Sequence, residues 1–328
     1  MKTMLESLAG SARKKALSLL NRVLNRIDPP VIVLLYHRVA TLKSDPEMLA
    51  VTPENFRAQI CYLKETFPIL RFEDDWTTVD KPSVVLTFDD GYADNALVAL
   101  PILDEVDVPA TFFVSTGNIG TREEFWWHEL ERIILKKQSL PSIFTLEDER
   151  VGSSWTTSTP GQLHEFYQGI VRLMNAADSG HRNKWLVQLR RWAETEKDTS
   201  DTHRAMTVDE LRLLAGSGCV TIGAHTVTHT RLSCLSPEAQ QEEIKASKKQ
   251  LETWLGRELS TFSYPFGLRS DYTKQSVALC RKAGFTKAAA NFPGQTHRWT
   301  DPFQIPRHLV RNWPVETFAE KLRGFWTR

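Results

Sequence analysis

The sequence predicts an α/β fold, an open or closed barrel of about seven parallel strands. Three observations carry that reading. Short apolar, β-branched runs recur along the chain, as expected of strands buried on both faces of a parallel sheet. Stretches with helical periodicity and cap signals separate these runs, which implies parallel pairing through right-handed crossovers. Finally, acids and histidines stand directly behind several of the runs, where α/β folds collect their chemistry.

The elements follow in chain order. Val31 to Tyr36 is the first apolar run and ends in His37 and Arg38. Thr52 and Pro53 supply an N-cap and first-turn residue for a helix carrying Phe56, Ile60 and Leu63 on one face. Val84, Val85, Leu86 and Phe88 form the next strand, closed by Asp89, Asp90 and Gly91. A helix over Ala96 to Val106 and a strand over Ala110 to Val114 continue the alternation. Thr207 to Glu210 is a capping box opening a helix that Gly216 or Gly218 closes. Val220 to Ala224 is a strand running into His225. Ser236-Pro237 opens a long helix that Gly256 ends, and strands at Thr261 to Tyr264 and Thr286 to Ala290 flank a helix over Tyr272 to Ala283. The last strand candidate, Ile305 to Val310, holds Arg307 and His308.

The rhythm breaks between Gly120 and Ala205. Phe125 to Lys137, Leu163 to Met174 and Arg182 to Trp192 read as helices, and the Ser/Thr-rich Gly152 to Gly161 as a loop. His128, His164, His181 and His203 have no ligand-like spacing and read as solvated. The expected organisation is an amphipathic helix over 1–30 and one domain over 31–328, with a helical insertion at about 120–206.

Composition narrows the function. With 41% hydrophobic and 25% charged residues, the 328-residue chain is ordinary for a globular protein. Its formal charge of +1 makes no electrostatic case for nucleic acid. Cys61, Cys219, Cys234 and Cys280 show no C-x-x-C spacing, which suits small buried side chains in a reducing compartment. Residues 1–28 place Ala16, Leu20, Val23, Leu24 and Ile27 at helical spacing among basic residues. Such a stripe packs on its own domain or lies on a membrane surface, and packing is the commoner use. No stretch has the length of a signal-peptide core or a bilayer span. The chain therefore reads as cytoplasmic, with peripheral contact to the inner face of the membrane through residues 1–28 as the alternative.

Two elements carry chemistry. Adjacent carboxylates at Asp89 and Asp90 repel unless a cation or shared proton intervenes, and Gly91 lets the backbone turn and re-aim one of them. A solvated turn is the plain alternative. His225 and His229 are one helical turn apart, so their imidazoles can meet one ion. Without the glutamate of H-E-x-x-H the metalloprotease reading drops away. Two imidazoles and one carboxylate from neighbouring strand ends make the three-ligand set of a catalytic zinc, with a position left for water.

LTFDDGYADN, the HTVTH behind Ile222-Gly223-Ala224, and FSYPFG at 262–267 together resemble the polysaccharide deacetylases, the NodB homology group. The likeness covers roughly Val31 to Val310 apart from the insertion. It implies a distorted (β/α) barrel and removal of acetyl groups from sugars with Zn²⁺ or another divalent transition metal. By motif, Asp89 matches the catalytic base, Asp90, His225 and His229 the metal ligands, and Phe266 the backbone N–H that meets the oxyanion. Two departures stand out. No arginine precedes Pro265, and no histidine motif follows Ala290; LLYHRV at the N-terminus has that form instead. This resembles the circularly permuted, exopolysaccharide-deacetylase branch, which implies that His37 is the acid. Arg307 either replaces the missing arginine beside Asp89 or forms a structural ion pair.

The resemblance implies a carbohydrate N-deacetylase acting on an amino sugar in a polysaccharide, oligosaccharide or glycan precursor. Asp89 would take a proton from the metal's water, and His37 would deliver one to the leaving amine. An O-deacetylase or deformylase on a nucleotide- or lipid-linked sugar would use the same residues. A barrel that only binds glycan would lack a base or ligand, and none is missing. Trp126, Trp127, Tyr264, Trp299 and Trp313 are candidates to line a sugar groove, although aromatics are more often core.

Overall fold

A computed structural model describes residues 23–121, 123–149, 151–197 and 201–326. Its centre is a sheet of parallel strands β1 (Val31–Tyr36), β2 (Ser83–Phe88), β3 (Ala110–Val114), β4 (Val220–Ala224), β5 (Thr261–Ser263), β6 (Lys287–Ala289) and β7 (His308–Leu309). Their spatial order is β6-β5-β4-β3-β2-β1-β7. The first strand therefore lies between β2 and the last, in register from Val31 opposite Ser83 to Tyr36 opposite Phe88. The short strand Ile69–Leu70 pairs with the start of β2. The sheet curls until Ile305, just ahead of β7, makes a parallel bridge to Ala289 in β6. All residues of β1, β2 and β3 are buried, as strands covered on both faces must be.

Side chains alternate along each strand and split the core in two. Ile32, Leu34 and Tyr36 face the surrounding helices, while Val31, Val33, Val85, Phe113 and Ile305 pack inside the curl with Phe72 and Trp76. Helices form where caps predict them. Thr207 and Glu210 make the reciprocal box on Val208–Gly216, and Gly256 ends Pro237–Leu255 in the left-handed conformation at φ 67. Because the strands are parallel, the residues following them gather on one rim.

The segment 120–206 has a core of its own, with Leu130, Ile133, Phe144, Phe166, Trp185 and Leu189 at its centre. It is not purely helical. Ile143–Leu146 pairs antiparallel with Ser153–Thr156, inside the stretch expected to be loop. Trp155 explains the difference: its ring packs 6.0 Å from Phe144 and 5.1 Å from Phe166, drawing a polar segment into a strand. The cysteines also depart from expectation. Cys280 is buried, Cys61 and Cys219 are partly buried, and Cys234 is exposed.

Residues 1–22 of the amphipathic stretch lie outside the described residues. In its described turn Val23 and Ile27 are exposed, while Asn25 donates to the Trp326 carbonyl at 2.9 Å. No described helix is long and apolar enough to cross a membrane.

Candidate active site

The rim loop after β2 gives its two acids different directions. Asp89 keeps the alternation of Val85 and Thr87 and points into the curl. Asp90 is then turned by a φ of 78, and Gly91 follows at φ 90. A Cβ on Gly91 would stand 2.9 Å from Val114 Cγ1, so only glycine fits. Of seven non-glycine residues with positive φ among the described residues, four are Asp90, Thr226, His229 and Phe266, all in rim loops. Each such residue costs on the order of 1–3 kcal/mol and persists only where its surroundings hold it.

Arg307 holds Asp89. Its Nη1 and Nη2 donate to Asp89 Oδ1 and Oδ2 at 2.8 and 2.6 Å, a bidentate pair. The remaining N–H groups go to Thr87 Oγ1, Ser263 Oγ and the Ala290 carbonyl, so all five donors of the buried guanidinium are used. Burial by itself would raise the Asp89 pKa, but Arg307 and then His225 more than offset it and hold the carboxyl below its usual range.

His225 and His229 meet Asp90. Their Nε2 atoms lie 3.7 and 3.3 Å from Asp90 Oδ1, and one potential ligand atom from each of the three residues lies within 4.8 Å of the others. The i, i+4 spacing is not helical here. Residues 225–229 form a loop, clamped where Glu243 accepts from the Val227 and Thr228 amides at 2.8 and 2.9 Å. Arg182, from the insertion, donates to the carbonyls of Thr228 and His229. His225 Nδ1 is 2.7 Å from the Ser263 carbonyl and donates to it, which leaves a lone pair on Nε2 facing Asp90. Burial lowers the His225 pKa to about 4, the nearby carboxylates opposing, so the ring is neutral as a ligand must be.

These residues suit a divalent cation. Asp90 Oδ1 is buried with no hydrogen-bond partner, an orphan that two imidazole nitrogens surround. The Asp90 carboxyl is held below its usual range, the histidines overcoming its burial. His229 completes the set differently: its Nδ1 is buried without a partner, and the ring is held by Trp127 and Phe266 at 5.1 and 4.9 Å.

His37 directly follows β1 and lines the same pocket as Asp89, Asp90, His225, His229 and Phe266. Burial lowers its pKa, with Asp90 and Asp89 opposing, and Asn95 ties its carbonyl to the helix behind Asp90 at 2.9 Å. Phe266, at φ 60, follows Pro265 and lines the pocket too. Tyr264 does not reach the pocket, against expectation. The chain turns at Pro265, and the Tyr264 ring stacks on Tyr272 at 4.1 Å with its hydroxyl donating to the Phe303 carbonyl. It belongs to the core. Trp126 and Trp127 line the pocket, whereas Trp299 is exposed and stacks on His297.

The family model described as polysaccharide deacetylase matches residues 77–146 and 161–288. The chain belongs to the polysaccharide deacetylase family. It has the parallel, curled sheet of the NodB-like fold. It is 28% identical to YxkH of Bacillus subtilis (strain 168) over 106 residues, 32% of this chain and 36% of that protein, so the match spans about a third of the curated relative. Two solved structures share the fold. Streptococcus pyogenes deacetylase PplD aligns with a TM-score of 0.55 at 18% identity over 89% of this chain and 98% of that one. IcaB from Ammonifex degensii aligns with a TM-score of 0.58 at 17% identity over 92% and 98%.

Sequence reasoning about this deacetylase-family site missed Ser263, Glu243 and Arg182, which act through other residues and carry no motif. It also misplaced His128 and His203, expected to be solvated. Both are buried, with ring centroids 4.4 Å apart, beside the buried Glu131. Ligand-type atoms of these three residues also lie within 4.8 Å of one another. Here, however, fixed cations already supply the positive charge. Arg38 Nη1 donates to His203 Nδ1 at 2.9 Å, and Lys136 Nζ stands 3.0 Å from Glu131. Tyr92 links this cluster to the rim, its hydroxyl 2.8 Å from His128 Nε2 and accepting from Trp127 Nε1 at 2.7 Å.

Proposed function

We propose that the chain is a metal-dependent deacetylase hydrolysing the N-acetyl group of an amino sugar. The observation that carries this reading is the orphaned Asp90 Oδ1, faced by His225 and His229 and set beside an ionised, arginine-held Asp89. Asp90, His225 and His229 would hold Zn²⁺ or another divalent transition metal. Such an ion, when bound, supplies an acidified water and polarises the acyl carbonyl.

The chain's own residues do the rest. Asp89 is kept ionised by Arg307 and accepts the proton of the attacking water. Ser263, at 3.2 Å from Asp89 Oδ2, and Arg307 fix the plane of that carboxylate. The Phe266 N–H, directed by its left-handed backbone, is the candidate donor to the developing oxyanion. His37 lies in the same pocket and serves the leaving amine. Burial lowers its pKa, while the Asp90 and Asp89 charges favour the protonated ring that a proton donor needs. Trp126 offers an apolar face to the sugar ring.

The test is acetate release from a panel of free, nucleotide-linked and lipid-linked N-acetyl sugars by metal-loaded protein. Release that chelation stops and metal restores is the expected result. A fully loaded protein that releases acetate from none of them would refute the reading.

A further inference from the structure

The shape and charge of the pocket bear on which sugar enters, given the deacetylase reading above. A cavity of about 400 Å³ stands over Asp90, His225 and His229, near the lower end of the roughly 300–1,000 Å³ of small-molecule sites. A polymer lying across the rim would need a groove open at both ends. One side is walled instead. Tyr167, on the insertion helix Pro160–Ala176, donates its hydroxyl to Glu47 Oε1 at 2.8 Å, joining the insertion to the loop after β1. Arg311, just after β7, donates Nη1 to the Glu47 carbonyl at 2.9 Å and to the Met48 carbonyl, extending that wall to the C-terminal strand.

Arg311 differs from the other arginines at the site. Arg307 is neutralised by Asp89, and Arg231 lies 3.0 Å from Asp271. Arg311 is half-buried in the pocket wall, where the charges of Asp45 and Glu47 act on it, but Asp45 accepts from the Leu49 and Ala50 amides and Glu47 from Tyr167. Its Nη1 is anchored by carbonyls, which fixes the guanidinium while Nε and Nη2 make no hydrogen bond among the described residues. A pre-positioned guanidinium with donors to spare is suited to a planar or tetrahedral oxyanion.

We propose that the substrate is a short acylated amino sugar of one or two rings carrying a phosphate or carboxylate, which Arg311 binds, and not an internal unit of a long neutral polymer.

Metal-loaded protein would be assayed for acetate release from N-acetylglucosamine, its 1-phosphate, N-acetylmuramic acid, and the neutral N-acetylglucosamine dimer and pentamer. The expected kcat/KM is roughly ten- to a hundredfold higher for the phosphorylated or carboxylated sugar than for the neutral one, the range for a hydrogen bond to a charged group. The two anionic substrates separate phosphate from carboxylate as the group recognised. Arg311→Gln should bring the charged-to-neutral ratio toward unity through KM, and Arg311→Lys should retain part of it. If Arg311→Gln fails to fold, the wild-type panel and the lysine variant still decide. Rates that climb from dimer to pentamer, or equal rates on charged and neutral sugars, would overturn the proposal while leaving the deacetylase reading intact. Acetate from no member of the panel would remove both.

Discussion

Arg307 and Asp89 form a two-point ion pair at 2.8 and 2.6 Å across 218 residues of chain, one just ahead of the last strand and one just behind β2. The arginine expected ahead of Pro265 is absent, and Ser263 stands in that strand instead, receiving one of Arg307's own N–H groups. The position of β7 beside β1 makes this possible, since it brings Arg307 to the inner face where Asp89 points.

Removing Arg307 outright would strand a buried carboxylate at a cost of about 3–5 kcal/mol, so Arg307→Lys is the informative change. Lysine keeps the charge but loses the two-point grip. Arg307 holds the Asp89 pKa down, so weakening the pair lets that pKa rise. The base must be ionised to work, and the acid limb of the pH profile of kcat/KM should therefore move to higher pH while metal content is unchanged. A profile identical to wild type would show that Arg307 has only a structural part.

His37→Ala should lower turnover on an amide by roughly a hundred- to ten-thousandfold, the usual contribution of a positioned acid. An activated ester, whose leaving group needs little protonation, should suffer much less. Equal losses on both would make His37 structural. His308 would not then replace it, because its Nε2 lies 2.9 Å from the Gly294 carbonyl and its ring stacks on Phe325.

Trp127 should matter for metal affinity. His225 is oriented by the Ser263 carbonyl, but His229 Nδ1 has no hydrogen-bond partner and the outer side of its ring rests on Trp127, itself fixed by Tyr92. Losing an outer partner of a ligand typically weakens metal binding by about ten- to a hundredfold. Trp127→Leu should do so in a chelator-competition titration. Unchanged affinity with weaker sugar binding would make Trp127 a sugar platform and nothing more.

Much of this architecture was legible in local signals. The apolar runs of β1 to β4 and the caps at Thr207 and Ser236 are properties of a few adjacent residues, and the structure places them as expected. The grouping of Asp90, His225 and His229 was legible because Asp90 and His225 stand just behind buried strands, with His229 four residues after His225. What was hidden depends on distant pairing. Ser153–Thr156 is too polar to read as a strand until Trp155 meets Phe144 and Phe166. His128 and His203 are solvated in any local reading, and only the fold of the insertion stacks them. Tyr264 shares its stretch with the site but leaves it at the Pro265 turn, which alternation along β5 could not foretell. The HTVTH spacing suggested a helix and turned out to be a clamped loop, because Glu243 captures the amides a helix would have used.

The most direct test of the account is a metal titration of activity. Protein stripped with a chelator would be titrated with Zn²⁺ while acetate release from an N-acetylated amino sugar is followed. Asp90, His225 and His229 as the ligand set predict no release without metal, a rise that saturates at a single ion per chain, and loss of the saturable response in His229→Ala. Full turnover by the stripped protein, or an unchanged titration in His229→Ala, would contradict it.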